Sequence, residues 1–517
     1  MQKKLLYLVL FLSFNLLQAQ SIIWVNTPPV TVTNLIPNGY LSATDVDGAV
    51  YFAGYQDNPY AYTELFGNLL YQKFAPGGNL LFSKTITERA VVHQLQSDAQ
   101  SNMYMAVEHL NTLTFDETII PNATGLPQHV LFKISPSGEL IWHKVLSMPI
   151  VNVNTFKSIA FDAAQNVYLG YDNYGTCYIE KVSPDGDSLQ LIVQENVNRL
   201  TSLALDTDGN IYAAGSCANT NSTYAGNLQP TNLAYTVYLV KYSAAGVFQW
   251  IKYVEDITCP SPMVQVDANN NIYWAAETFI SVQLDNITME GPISGVDFFL
   301  AKLNINGDYL WAREVPGNGS LEVAHHNFLQ VDVVGNVCLS GTLSGGTTQW
   351  TDLITTHTGT FSNREVLVLR YTEAGQLLMA FTGGGNQPDF AHGISTDTNG
   401  DIYVTGMMRG NAQLGWFTFS PPGSNDYTPF IARLSPFTFS LPEEQLSPIR
   451  VYPNPVTDWL FVDSTIPFIE SQLFTLNGQQ LVVPQAENRF DFSGLAKGIY
   501  VLALTTTNGK HYFKIVH

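Results

Sequence analysis

Apolar and polar residues alternate along most of this chain in short runs, and the runs are broken by Asp, Asn and Gly. That is the pattern of half-buried β-strands joined by tight turns. One stretch shows it plainly: Leu203 and Leu205 lead into Asp206, Gly209-Asn210 turn the chain, and Ile211-Tyr212-Ala213 lead out, which predicts a β-hairpin. The same frame, Asp-x-x-(Gly or polar)-x-x-Tyr, begins at Asp45, Asp98, Asp162, Asp206, Asp267, Asp332 and Asp397. Its aromatic position holds Tyr51, Tyr104, Tyr168, Tyr212, Tyr273 and Tyr403, with Cys338 as the one departure, and Gly54, Gly215, Gly341 and Gly406 follow. Asp and Gly serve the turn.

A second pattern follows each first one. It opens on a basic residue, Lys73, Lys133, Lys181, Lys241, Lys302, Arg370 or Arg433, and five positions later places Gly78, Gly138, Gly186, Gly246, Gly307 or Gly375. An apolar-x-aromatic pair comes next, clearest in Leu140 to Trp142, Phe248 to Trp250 and Tyr309 to Trp311. Two hairpins per repeat make a four-stranded antiparallel blade, and blades that cannot bury both faces alone stack radially. The expectation is therefore an all-β fold, a seven-bladed β-propeller over residues 20–434. In the seventh copy no Gly follows Arg433 at the expected place, whereas Ile22-Ile23-Trp24 carries the missing apolar-x-aromatic spacing. The N-terminal strand is predicted to close the ring, which removes exposed sheet edges. These paired motifs resemble the β-propeller repeats of bacterial secreted and surface proteins, and more loosely NHL-type repeats. Such a resemblance speaks for a fold; its residues are turn and packing residues and name no function.

Residues 435–448 break the repeat with Ser435, Pro436, Pro442 and Pro448 and read as a linker. Residues 449–517 then predict seven short strands, with Asn477-Gly478 and Asn508-Gly509 as hairpin turns, hence a small sandwich of immunoglobulin-like character. Tyr452-Pro453-Asn454-Pro455, Leu476-Asn477-Gly478, Lys497-Gly498-Ile499-Tyr500 and Lys514-Ile515-Val516 stand in order before the terminus. Together they resemble the type A C-terminal sorting domain of type IX secretion cargo, in which Pro453, Asn454, Pro455, Gly478, Lys497, Gly498, Tyr500 and Lys514 hold the motif positions. The resemblance implies recognition by the type IX machinery, passage from the periplasm across the outer membrane, and release or attachment at the cell surface. His517 departs from it, since such domains usually end in a basic residue.

Charge and the N-terminus narrow the picture. A formal charge of −20 repels phosphate backbones and anionic headgroups, which argues against nucleic-acid partners. Lys3 and Lys4, an apolar run from Leu5 to Leu17 and a small residue near Ala19-Gln20 read as a signal peptide over residues 1–19. The run falls short of the roughly 20 apolar residues a membrane span takes, so no transmembrane segment is expected. Export permits disulfides, yet Cys177, Cys217, Cys259 and Cys338 are too few to form a framework and read at least as well as buried small hydrophobes. A monomer is expected.

Candidate chemistry is sparse. Loops joining second to third strands share one face of the disc with the links between blades, and at 55–69, 108–129, 217–236, 276–296, 342–364 and 407–428 they far exceed ordinary hairpin loops. They form the expected recognition surface, and small extra hairpins are the bland reading of their aromatic segments, such as Tyr60, Tyr62 and Phe66, Phe279 to Met289, and Trp416 to Phe419. His93 and His392 lie five residues before a repeat Asp and His326 one position off, so they are the candidate ligand-binding residues at the channel mouth. With no fixed ligand spacing, no metal site is assigned to them. The Asp-rich turns at Asp45, Asp206 and Asp397 leave calcium open in one or two copies, but other copies lack the extra oxygens, so turn chemistry is favoured and no cofactor is expected. No nucleophile elbow, zinc helix or phosphate loop occurs. The leading function is a non-enzymatic binding or adhesion module for a glycan or protein. The alternative is an extracellular carbohydrate-active hydrolase or lyase using the channel mouth.

Overall fold

The computed structural model describes residues 22–30, 39–56, 67–146, 155–173, 175–257, 259–292, 295–317, 319–324, 326–358, 364–421, 423, 426–435, 449–464, 467–475, 480–482, 485–486, 488–506 and 509–517. The proposed signal peptide, with Ala19 and Gln20, lies outside them, as do Tyr60, Tyr62, Phe66, Gly478 and residues 436–448 of the expected linker. Every regular element among the described residues is a β-strand, and the chain divides into two compact units, Met1–Phe437 and Thr438–His517.

In the first unit, successive groups of four antiparallel strands follow one another among the described residues, some joined into larger sheets by a shared strand or an added hairpin. The first runs Tyr40–Thr44, Val50–Tyr55, Gly67–Phe74 and into Leu80–Ser97, whose second half begins the next sheet with Met103–His109, Gln128–Ile134 and Leu140–Leu146. The third to fifth start at Thr155–Phe161, Arg199–Leu205 and Met263–Val266. The sixth has an interrupted inner strand, Ser320–Val323 and Leu329–Val331, and the seventh is Phe390–Thr396, Ile402–Arg409, Tyr427–Leu434 and Ile22–Asn26. Each inner strand packs on the next, and the seventh packs on the first, so the sheets close the radial ring of a β-propeller. Ser42 Oγ meets Ser395 Oγ at 2.9 Å, and Thr44 donates to the Thr396 carbonyl at 2.6 Å across this joint. The N-terminal strand pairs as expected, with Trp24 opposite Arg433 and Asn26 opposite Ile431.

The repeat residues build the turns and the joints between sheets. At Asp206, Oδ1 accepts from the Asp208 and Asn210 amides, while Oδ2 accepts from Asn210 Nδ2 and the Tyr212 hydroxyl. The same scheme recurs at Asp267. At these two positions both oxygens are thus occupied by protein donors, which is turn chemistry. The second motif reaches into the neighbouring sheet. Trp142 Nε1 donates to the Pro184 carbonyl at 3.0 Å and Lys133 Nζ to the same oxygen at 3.0 Å, while Lys133 lies over the Tyr104 ring. The Trp ring sits over the Gly186 turn; at the homologous joints a Cβ on Gly78 or Gly375 would lie 2.8 Å from Trp24 or Trp311. The glycine is needed twice over, for its positive φ and for this close approach. Trp24 repeats the joint at the ring closure, donating to the Pro76 carbonyl at 2.9 Å.

The long second-to-third connections carry five extra hairpins among the described residues: Leu113–Phe115 with Thr118–Ile120, Asn221–Tyr224 with Asn227–Pro230, Val282–Leu284 with Ile287–Met289, Thr347–Gln349 with Thr355–His357, and Ala412–Leu414 with Phe417–Phe419. Three of them bond to the outer strand of the preceding sheet: Thr114 opposite Thr87, Tyr224 opposite Gln194, and Gln413 opposite Gly384. These hairpins clasp neighbouring sheets and cover an edge. Phe115, Tyr224 and Phe419, on these three hairpins, are buried. All four cysteines are buried free thiols.

Among the described residues the second unit holds two four-stranded sheets. Ile449–Tyr452, Trp459–Ser464, Arg489–Asp491 and Gln485–Ala486 form one; Gln480–Leu481, Phe468–Thr475, Ile499–Thr506 and Gly509–Val516 form the other. Leu460, Phe492, Leu502 and Ile515 from both sheets share one apolar core. Among the described residues eight strands replace the seven expected, because Gln485–Ala486 adds a two-residue strand too short to leave an alternation in the sequence.

Candidate functional site

Five residues before each repeat Asp, one layer of the ring holds Tyr40, His93, Lys157, Thr201 and His392 on inner strands, with Pro262 and Asn327 just outside theirs. In four sheets this residue is a β-bulge, with register shifts between Val92 and Gln94, Phe156 and Ser158, Leu200 and Ser202, and Ala391 and Gly393. A bulge re-aims the side chain, which is why such irregularities gather at the rims of rings. In the sixth sheet the interruption is longer, and Asn327, at φ 37°, reaches across the axis. Its side-chain oxygen accepts from Gln94 Nε2 at 2.7 Å and its carbonyl from the Ile394 amide at 2.9 Å. The segment thus joins the sixth sheet to the second and seventh. Beyond it, on the face of the Asp turns, lies a cavity of about 240 Å³ lined by Ser42, Gln96, Asn327 and Ser395.

On the long-loop side of this layer, His93, Glu108 and His129 converge from three adjacent strands, and one ligand-type atom from each lies within 4.8 Å of the others. Glu108 and His129 are directly opposite in the ladder. His93 Nε2 is 2.6 Å from Glu108 Oε2, and the two imidazole rings are 5.9 Å apart. Burial pushes the Glu108 carboxyl up, but the His93 hydrogen bond and the charges of His93, His129 and Lys157 outweigh it, leaving it below its ordinary value. Burial likewise holds the Lys157 ammonium low, aided by Arg199 and opposed by Asp172, Cys259 and Glu108. On the opposite side of the ring, burial and the nearby Glu322 lift the Glu277 carboxyl to about 7, against Arg364, which is itself paired with Glu322.

Of the three histidines singled out from sequence, His93 and His326 are brought together, with rings 6.1 Å apart. His392 stacks instead on Tyr40 at 5.8 Å. Sequence reasoning missed Glu108, His129 and Lys157. Lys157 occupies the same spacing before its Asp as His93 and was legible on that count. Glu108 and His129 end one strand and begin the next across a long insertion, so only the ladder register pairs them.

In the second unit, Asn454 Nδ2 donates to the Lys514 carbonyl at 2.7 Å and its oxygen accepts from the Val516 amide at 2.8 Å, pinning the final strand. Gly498 and His517 exchange backbone hydrogen bonds, and Tyr500 donates to the Ala496 carbonyl. Pro453, Pro455, Lys497 and Lys514 are exposed. The imidazole nitrogens of His517 lie 3.0 and 3.2 Å from the Val456 and Leu495 carbonyls.

The family model for the secretion system C-terminal sorting domain matches residues 450–517, and that for the beta-propeller repeat matches residues 382–407. Residues 450–517 thus carry a sorting tail of the type IX secretion kind, in a chain whose first unit has the β-propeller fold. Among curated proteins, none matches it. Solved structures that overlie it include virginiamycin B lyase from Staphylococcus aureus, at 10% identity over 79% of this chain and 98% of that one, TM-score 0.40. BBS1N in complex with ARL6DN is 9% identical over 81% and 98%, TM-score 0.42. The gluconolactonase XC5397 from Xanthomonas campestris is 9% identical over 81% and 99%, TM-score 0.31.

Proposed function

We propose that this type IX secretion cargo enters the periplasm by its N-terminal signal peptide and crosses the outer membrane by its C-terminal domain. At the cell surface or after release, its seven-bladed propeller binds a glycan or protein through the long-loop face. The observation that carries the binding reading is the apolar rim on the inserted segments. Each of the five extra hairpins, or the loop beside it, presents an exposed large apolar side chain: Ile119, Tyr235, Phe279, Leu353 and Trp416, the last 65% exposed. Chain topology puts these connections on one face, and apolar side chains gathered on a rigid scaffold are what a recognition surface needs. A groove of about 690 Å³ lined by Trp350, Tyr371, Arg313 and Glu314 adds aromatic and charged groups suited to a sugar.

Two experiments test this. Removal of residues 449–517 is expected to leave the protein in the periplasm of a host with this pathway, and undiminished appearance outside the cell would overturn the export reading. A glycan and surface-extract screen on the full chain is expected to yield a ligand whose binding falls in Trp416→Ala or Trp350→Ala; a ligand indifferent to both would overturn the long-loop face. The convergence of His93, Glu108 and Lys157 at the channel mouth favours a second reading, a carbohydrate-active hydrolase or lyase. New reducing ends or unsaturated sugars, formed by the chain and lost in Glu108→Gln, are its test.

A further inference from the structure

We propose that His93, Glu108 and His129 form a binding site for a divalent transition-metal ion, of the kind Zn²⁺ represents. Two imidazoles and one carboxylate are a donor set zinc accepts, whereas magnesium and calcium take oxygen ligands. The geometry fits. Bonds of roughly 2.0–2.2 Å in a tetrahedral arrangement separate ligand atoms by about 3.3–3.5 Å, and the three donors already lie within 4.8 Å of one another. His93 Nε2 and Glu108 Oε2, now sharing a hydrogen bond at 2.6 Å, would part by less than an ångström to admit the ion.

The three residues stand on Leu80–Ser97, Met103–His109 and Gln128–Ile134, neighbouring strands of one sheet, so the backbone fixes their spacing without help from a loop. His129 is buried, while the His93 and Glu108 side chains keep 11% and 15% of their surface, which gives an ion a way in from the mouth. His93 Nδ1 is buried without a hydrogen-bond partner among the described residues. Lys157, beside Arg199, opposes a cation here, and Asp172, on the neighbouring strand, counters Lys157. Three protein donors leave a fourth position for water or a ligand atom. The inference stands apart from the long-loop binding reading, since it needs neither the apolar rim nor any sugar.

The test uses the full chain, stripped by chelation and titrated with Zn²⁺ by calorimetry, with retained metal counted after dialysis. One equivalent is expected. Glu108→Gln and His93→Gln should each weaken binding by more than the roughly 10–100-fold that loss of even an outer partner of a ligand costs. His143→Gln, at an exposed histidine, should change nothing. Co²⁺ loaded into the unaltered chain should give the intense visible bands of a tetrahedral site, which keeps the test independent of whether any variant folds. Failure of the unaltered chain to retain zinc, the weak spectrum of octahedral Co²⁺, or equal retention in both Gln variants would each overturn the site.

Discussion

Replacing Trp24 by alanine tests how the ring is held shut. The indole is buried between Tyr403 and Phe74, with centroids at 5.8 and 6.1 Å, and its ring covers the Gly78 turn. Emptying such a site costs about 3–5 kcal/mol. Loss of the Nε1 hydrogen bond to Pro76 adds no more than about 1 kcal/mol, because Arg433 also donates to that carbonyl and keeps it satisfied. With a urea m-value of about 3 kcal/mol per molar or more for a chain this large, the unfolding midpoint should fall by about 1 M. Trp142→Ala removes the same contact between two sheets that remain covalently consecutive. If Trp24 acts as the closure, its variant should also expose the edge of Tyr427–Leu434 and self-associate, seen as increased light scattering, while Trp142→Ala should lose stability without associating. An unchanged midpoint in Trp24→Ala, or matching scattering from the two variants, would refute the closure argument.

Arg370→Met should destabilise the first unit by about 3–5 kcal/mol, since it strands the Asp332 carboxylate, fully buried, without its guanidinium partner. Adding Asp332→Asn, which keeps an oxygen for the Val334 and Asn336 amides, should recover much of that loss in chemical denaturation. Burial lifts the Asp297 carboxyl from 3.8 to about 7 despite amide donors from Phe298 and Val315. The folded chain therefore holds a proton there that the unfolded chain releases, and stability falls as pH rises through that window. Asp297→Asn, whose single oxygen can accept both amides, should be more stable than the natural chain near pH 8, by up to about 4 kcal/mol, since each tenfold change in proton affinity is worth about 1.4 kcal/mol. That advantage should shrink as pH falls through the window and vanish only below the carboxyl's ordinary value of 3.8, and a pH series of urea melts checks it. Asn454→Ala should loosen the final strand, read as faster amide exchange at Lys514 and Val516, with a cost of about 1–3 kcal/mol.

What the sequence by itself determined is everything with a local cause. The Asp turns, the glycines at positive φ and the alternating strands are dictated within a few residues of each position, so seven copies of one frame announced repeated hairpins. The missing outer strand at Arg433 and the spare one at Trp24 were legible because a sheet edge left open is costly. The tail was legible because its motif residues tie the final strand to Asn454 and Gly498, contacts that leave little freedom in their order and spacing. Only the tertiary structure decided what meets at the channel mouth. Bulges at His93 and Lys157 shift the strand alternation from which side-chain direction would be read. Glu108 meets His129 across an inserted hairpin, and Asn327 reaches Gln94 from more than two hundred residues away. These partners come together because a closed ring brings the inner strands to one axis, and no local pattern encodes which side chains will face each other across it.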